Sequence, residues 1–80
     1  MRRVTLYSKP GCHLCDVVEQ VIGFVRTQRP FEFEKRNILD DPATFEKYQH
    51  EIPVICVNGR EIARHQLTAA ALENALDSSA

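Results

Sequence analysis

Apolar residues change their spacing along the chain, and each spacing predicts a different element. The first residues, Val4–Tyr7, are β-branched, apolar or aromatic and are followed by SKPG, which predicts a strand and then a loop. Further on, apolar residues recur at helical spacing, which predicts a helix that starts near Cys12 and ends by Pro30. The positions assigned to its buried face are Leu14, Val17, Val18, Val21, Ile22 and Val25.

The next segment predicts a second strand and a short helix. Aromatic and acidic residues alternate over Phe31–Glu34, which is typical of a strand with one apolar face. A strand–helix–strand unit nearly always joins parallel strands through a right-handed crossover, so both strands are expected in one sheet. The segment Asp40–Pro42 then combines a capping residue with a proline suited to a first helical turn, and Phe45 and Tyr48 follow it.

The last third of the chain predicts a hairpin and a final helix. Asn58 and Gly59 separate two apolar segments, 53–57 and 60–62, and such a pair is a strong signal for an antiparallel hairpin because both residues tolerate positive φ. From Thr68, a candidate cap, a run of alanines and leucines predicts a helix. The last three residues of the chain are expected to fray.

Length, composition and charge restrict the class of protein. Eighty residues fit one domain, 1–80. A chain with 44% hydrophobic and 26% charged residues is an ordinary globular protein. A net charge of -1 gives no general attraction to nucleic acid or anionic lipid, so neither is predicted as a partner. Since no apolar segment resembles a signal peptide or reaches the length of a membrane span, we predict a cytoplasmic location.

Two of the three cysteines stand in the segment SKPGCHLC, directly after the first predicted strand. If the helix starts at Cys12, its sulfur lies beside unpaired backbone N–H groups and the positive end of the helix dipole. This position favours the thiolate of Cys12, while Cys15 is placed to resolve a mixed disulfide. Lys9, and His13 when protonated, add to the effect, whereas Asp16 opposes it.

Two other interpretations of the cysteines stay open. Cys12, Cys15 and Cys56 could form a zinc site with one of His13, His50 or His65, although Cys56 stands alone in a predicted strand. The CxxC pair could also be two core cysteines that happen to be close. A CxxC near a strand–helix–strand pattern in a cytosolic protein favours the redox interpretation. Cys56 is predicted to be a small buried hydrophobic residue.

These elements and residues resemble the glutaredoxin family of the thioredoxin fold. The segment VTLYSKPGCHLC is similar to the family's first strand and active-site loop, IPV resembles the segment with its cis-proline, and VNGREI resembles its terminal hairpin. The resemblance covers nearly the whole chain. It implies an α/β fold of the glutaredoxin type, a four-stranded mixed sheet with three helices in the order βαβαββα. It also implies that the third, first, second and fourth strands lie in that spatial order.

The resemblance further implies roles for single residues. Cys12 would attack a disulfide and Cys15 would resolve the product. Lys9 would contact the carboxylate of glutathione. Ile52 and Pro53 would form the platform against which a substrate backbone lies, with a cis peptide bond before Pro53.

The stretch after the predicted hairpin departs from the family pattern. Glutaredoxins that bind glutathione well carry a Gly-Gly pair there, followed by an aspartate at the start of the last helix. This chain has Ala63 and Arg64 and lacks the glycine pair. A side chain obstructs the close approach that glycine permits, although Arg64 could pair with a glutathione carboxylate. Glutaredoxin-like proteins of uncharacterised role, and redoxins linked to thioredoxin reductase, are closer parallels.

We therefore predict a cytosolic thiol-disulfide oxidoreductase that uses Cys12 and Cys15 to reduce protein or mixed disulfides. No cofactor and no resident metal are predicted, and glutathione is considered only as a poor co-substrate. A thioredoxin reductase or the glutathione system would supply the electrons, and the protein is expected to be a monomer. The alternative, from a different class, is a zinc-binding module that uses Cys12 and Cys15 with or without Cys56.

Overall fold

The computed structural model of the chain describes residues 1–78, and its main elements follow the order βαβαββα. The strands are β1 (Arg3–Ser8), β2 (Glu32–Asn37), β3 (Val54–Val57) and β4 (Arg60–Arg64). The helices are α1 (His13–Arg26), α2 (Pro42–Tyr48) and α3 (Ala69–Ser78), with a 3-10 turn at Ile38–Asp40. The predicted fold class, a four-stranded mixed sheet with three helices, is confirmed. Ser78 ends α3, and the rest of the predicted frayed end, residues 79–80, lies outside the described residues.

The four strands lie in the order β2-β1-β3-β4. β1 and β2 are parallel, because α1 provides the crossover between them. β3 is antiparallel to both β1 and β4. Asn58 and Gly59 join β3 to β4 with φ angles of 52° and 83°. The spatial order implied by the resemblance is wrong, because this tight turn keeps β4 beside β3 and cannot carry it across the sheet to β2.

α1 and α3 cover one face of the sheet. The buried residues of α1 are Cys15, Val18, Ile22 and Val25. Leu14 and Val17, assigned to this face from the sequence, are instead 54% and 44% exposed. The apolar stripe of α1 is therefore wider than the face that the sheet and α3 cover. The main core is made of buried residues from the sheet, α1, α3 and the adjoining loops: Val4, Leu6, Val18, Ile22, Val25, Phe31, Ile55, Val57, Leu67, Leu72 and Leu76.

The opposite face of the sheet carries a smaller apolar cluster under α2. Its buried members are Ile38, Tyr48, Val54 and Cys56. The rings of Tyr7 and Tyr48 lie 5.0 Å apart between their centroids. α2 starts as the sequence predicts, with Pro42 in its first turn and Asp41 as the cap that accepts from the Ala43 N–H. No helix within residues 1–78 combines the length and the apolarity that a membrane span requires.

The strand register brings three distant loops to one end of the sheet. Tyr7 near the end of β1 pairs with Val54 at the start of β3, and Val54 pairs with Arg64 at the end of β4. The loop after β1 leads to Cys12, and Pro53 directly precedes β3. This end of the sheet therefore carries the predicted site residues.

Candidate active site

Cys12 is the N-cap of α1. Its backbone is extended, with φ -89° and ψ 104°, and its sulfur accepts a hydrogen bond from the Cys15 N–H at 3.1 Å. The Asp16 N–H bonds to the Cys12 carbonyl at 3.2 Å and so closes the first helical turn. The unpaired N–H groups and the dipole at a helix start stabilise negative charge, so this position suits a thiolate. The predicted helix start near Cys12 is confirmed.

The two cysteines of the motif are joined by a disulfide bond. Their sulfur atoms are bonded and their Cα atoms lie 5.2 Å apart. Cys12 is half-buried, whereas Cys15 is 2% exposed and faces the core from the first turn of α1. A reagent from solvent therefore reaches the Cys12 sulfur before the Cys15 sulfur. Such a pair can alternate between dithiol and disulfide.

The loop between β1 and Cys12 is a tight turn. Gly11 has a φ of 81°, in the left-handed region where glycine is favoured, and the Cys12 N–H points back to the Lys9 carbonyl at 3.4 Å. Lys9 is exposed on this loop. A cleft of about 400 Å³ adjoins the turn and is lined by Ser8, Lys9, Pro10, Gly11, Asp16, Lys35 and Asn37. The backbone of Lys9 thus contacts that of Cys12, and the predicted contact of its side chain with glutathione stays a prediction.

Pro53 lies at the same end of the sheet. The Ile52–Pro53 peptide bond is cis, as the resemblance implies. Pro53 is buried and Ile52 is half-buried. Tyr7 is paired with Val54, so one further step along this antiparallel register places Pro53 opposite Ser8, at the start of the loop that leads to Cys12. The role of Ile52 and Pro53 as a platform stays a prediction.

Arg64, predicted to face the substrate, is engaged by two carboxylates. Its Nε and Nη2 donate to Glu61, with 3.1 Å between Nη2 and Oε1, and its Nη1 lies 3.3 Å from Glu51 Oε2. The hydrogen bond with Glu61 raises the pKa of Arg64, and the same bond lowers the pKa of Glu61. These two carboxylates would compete with a substrate carboxylate for the guanidinium, and the role of Arg64 in substrate binding stays a prediction.

Glu51 and His65 belong to the same end of the sheet; reasoning from the sequence missed Glu51 and considered His65 only as a possible zinc ligand. His65 Nε2 lies 3.1 Å from Glu51 Oε2, and the His65 N–H donates to the Pro53 carbonyl at 2.8 Å. The turn at Asn58 and Gly59 gives a partial signal, because counting outward along both strands from it places residues 64 and 65 near Pro53. Such counting does not point to Glu51, and it misses the register shift between Ile55 and Cys56 that pairs Val54 with Arg64.

The chain matches the family described as Glutaredoxin-like domain (DUF836) over residues 3–77. The chain belongs to this family. It is 31% identical to protein XcR50 from X. campestris, with a TM-score of 0.80 to its X-ray structure and coverage of 96% of this chain and 99% of that chain.

Two further solved structures share the fold of this glutaredoxin-like chain. Protein Ne2328 from Nitrosomonas europaea is 22% identical, with a TM-score of 0.81 and coverage of 92% of this chain and 89% of that chain. A mutant thioredoxin from Halobacterium salinarum NRC-1 is 16% identical, with a TM-score of 0.71 and coverage of 96% of this chain and 73% of that chain. These neighbours establish a thioredoxin fold, and the bonded Cys12 and Cys15 are compatible with a redox role.

The third cysteine of the glutaredoxin-like domain lies apart from the motif. Cys56 is 5% exposed in the cluster under α2, as predicted for a buried hydrophobic residue. Burial raises the pKa of the Cys56 thiol, and the nearby charge of Glu61 raises it further. Over the described range 1–78, no three His, Cys, Asp or Glu side chains group as metal ligands. The zinc arrangement of Cys12, Cys15 and Cys56 with a histidine is therefore not assembled.

Proposed function

We propose that this glutaredoxin-like protein is a thiol-disulfide oxidoreductase that reduces protein or mixed disulfides through Cys12 and Cys15. The observation that carries the proposal is the position of the two sulfurs. Cys12 caps a helix and is accessible, and it is bonded to a Cys15 that is buried one turn further on. An accessible attacking thiol with a sheltered resolving thiol is the arrangement that disulfide exchange needs.

The proposed reaction has two exchange steps. The Cys12 thiolate attacks one sulfur of the target disulfide, a mixed disulfide forms, and the other target sulfur leaves as a thiolate that takes up a proton. Cys15 then loses its proton and attacks the Cys12 sulfur, so the second target thiolate is released. Two electrons pass from the dithiol to the target, and an external dithiol or reductase must return them. The Cys15 N–H, 3.1 Å from the Cys12 sulfur, stabilises charge on that sulfur whenever it is a thiolate.

A metal analysis with a thiol count separates this proposal from the zinc-binding alternative. Protein purified without chelator is expected to hold no stoichiometric zinc. In denaturant it should show one free thiol, from Cys56, and all three of its cysteines should react after mild reduction. The metal-binding module would be favoured by one equivalent of zinc that resists dialysis, together with three thiols that react in denaturant before any reduction.

The electron donor is expected to be a thioredoxin reductase or a dithiol rather than glutathione. Arg64 already pairs with Glu51 and Glu61, and Ala63 places a Cβ where a glycine would leave room. Exposed Lys9 adds little to the affinity for glutathione, because a single surface ion pair contributes ~0.2–1 kcal/mol.

We also propose that the protein works as a monomer in the cytoplasm, where glutathione and thioredoxin keep protein thiols reduced.

We expect turnover with thioredoxin reductase or dithiothreitol to exceed turnover with glutathione and glutathione reductase. The assay compares both reducing systems on one protein disulfide, and a standard glutaredoxin in the same buffers serves as the control that prefers glutathione. If the glutathione system is equal or faster, then the ion pairs of Arg64 do not prevent glutathione from binding, and the protein works as an ordinary glutaredoxin.

A further inference from the structure

Glu51 joins the segment before β3 to the end of β4. Its Oε2 lies 3.3 Å from Arg64 Nη1 and 3.1 Å from His65 Nε2. The His65 N–H donates to the Pro53 carbonyl at 2.8 Å. Three contacts therefore connect residues 51–53 to residues 64–65, and we name this group the Glu51 clamp.

The backbone on both sides of the clamp is held in place. The Glu51 N–H donates to the Tyr48 carbonyl at 2.8 Å, so Glu51 is anchored to the end of α2. His65 has a φ of 69°, in the left-handed region that side chains other than glycine seldom adopt. In this conformation His65 contacts the 51–53 segment through both its side chain and its backbone N–H. His65 therefore adopts this unfavourable backbone conformation at the position where it completes the clamp.

The clamp lies at the edge of the sheet that carries the cysteines. Val54 pairs with Tyr7 on one side and with Arg64 on the other, so the 51–53 half of the clamp lies between the Cys12 loop and residues 64–65. Over residues 1–78, the ion pairs of Glu51 are made with Arg64 and His65. Glu51 can therefore act on the position of Pro53 without taking part in sulfur chemistry.

We propose that Glu51 is a positioning residue that holds the Pro53 segment at the place where a substrate chain docks beside Cys12. The kinetic part of this inference rests on the proposed function. Loss of the clamp raises KM for a disulfide substrate and leaves kcat nearly unchanged, because docking is weakened while the sulfur atoms keep their geometry.

The test compares Glu51→Gln with Glu61→Gln. Both changes remove one carboxylate from Arg64, but only the first releases the Pro53 segment, so the second is the matched control. With a disulfide-bonded peptide as substrate and dithiothreitol as reductant, E51Q should raise KM about five-fold with kcat within about two-fold, and E61Q should change neither by more than about two-fold. Equal effects of the two substitutions, or an unchanged KM in E51Q, would overturn the positioning role.

A second measurement is independent of activity. Amide hydrogen exchange followed by NMR should be several-fold faster at the His65 N–H in E51Q than in E61Q or the wild type, since this N–H donates to Pro53 within the clamp. Unchanged exchange in E51Q would show that Glu51 does not hold the segment. A wild-type protein without Cys12-dependent turnover would refute the proposed function, and the exchange data would still decide whether the clamp exists.

Discussion

Replacing Cys12 with serine is expected to abolish disulfide reduction, leaving only the background rate of the reductant. Cys12 caps α1, and its sulfur accepts the Cys15 N–H at 3.1 Å, so the helix start stabilises the attacking thiolate. A serine hydroxyl keeps the cap and thus the helix, because serine is among the preferred N-cap residues. It cannot form the mixed disulfide, however. The loss should therefore appear in turnover, while thermal unfolding of C12S should match that of the reduced wild type, which also lacks the Cys12–Cys15 disulfide.

The matched control for this variant is Cys56→Ser. Cys56 is 5% exposed on the other face of the sheet, and burial raises the pKa of its thiol, so it should contribute little thiolate near neutral pH. Turnover of C56S per folded molecule is expected within about two-fold of the wild type. Substantial activity in C12S would show that Cys12 is not the attacking residue, whereas an inactive C56S that is still folded would show that Cys56 also takes part in turnover.

Replacing Cys15 with serine is expected to trap the reaction at the mixed disulfide. Cys12 keeps its position in this variant and can still attack, but the serine hydroxyl cannot displace the target from the Cys12 sulfur. Incubation with a disulfide-bonded peptide should give one covalent adduct per protein, visible by mass spectrometry without reductant and lost after dithiothreitol is added. Multiple turnover with a protein disulfide and a reductase should fall close to background.

The accessibility of the two sulfurs makes the assignment of roles testable in the wild type. After reduction, Cys12 should react with iodoacetamide well before Cys15, because Cys15 is 2% exposed in the first turn of α1. Peptide mapping of briefly labelled protein measures the order directly. Faster labelling of Cys15 would reverse the roles of the two residues, and C12S would then be the variant that accumulates the adduct.

Local sequence signals predicted the main elements well. The cap and proline at the start of α2, the Asn-Gly turn between β3 and β4 and the CxxC at the start of α1 each act over a few residues. Their physical causes are hydrogen bonds to neighbouring N–H groups and tolerance of positive φ, so the structure reproduces them. The chemistry expected of Cys12 follows from the same local position.

Edge strand β2 shows where prediction from the hydrophobic pattern is weaker. The sequence predicts the second strand only as far as Glu34, because Lys35 interrupts the alternation, but β2 continues to Asn37. β2 lies at the edge of the sheet, and its backbone pairs with β1 along six residues from Glu32 to Asn37. An edge strand can carry polar side chains on both faces, because its backbone hydrogen bonds to the neighbouring strand do not require its side chains to be buried.

By itself, the sequence determined the order of the elements, the helix-capping position of Cys12 and the hairpin turn at Asn58 and Gly59. Each of these follows from interactions within a few residues. The tertiary structure alone decided the spatial order of the strands, the exposure of Leu14 and Val17, and the pairing of Arg64 with Glu51. These features depend on strand register and on packing between segments far apart in the chain, which no local pattern specifies.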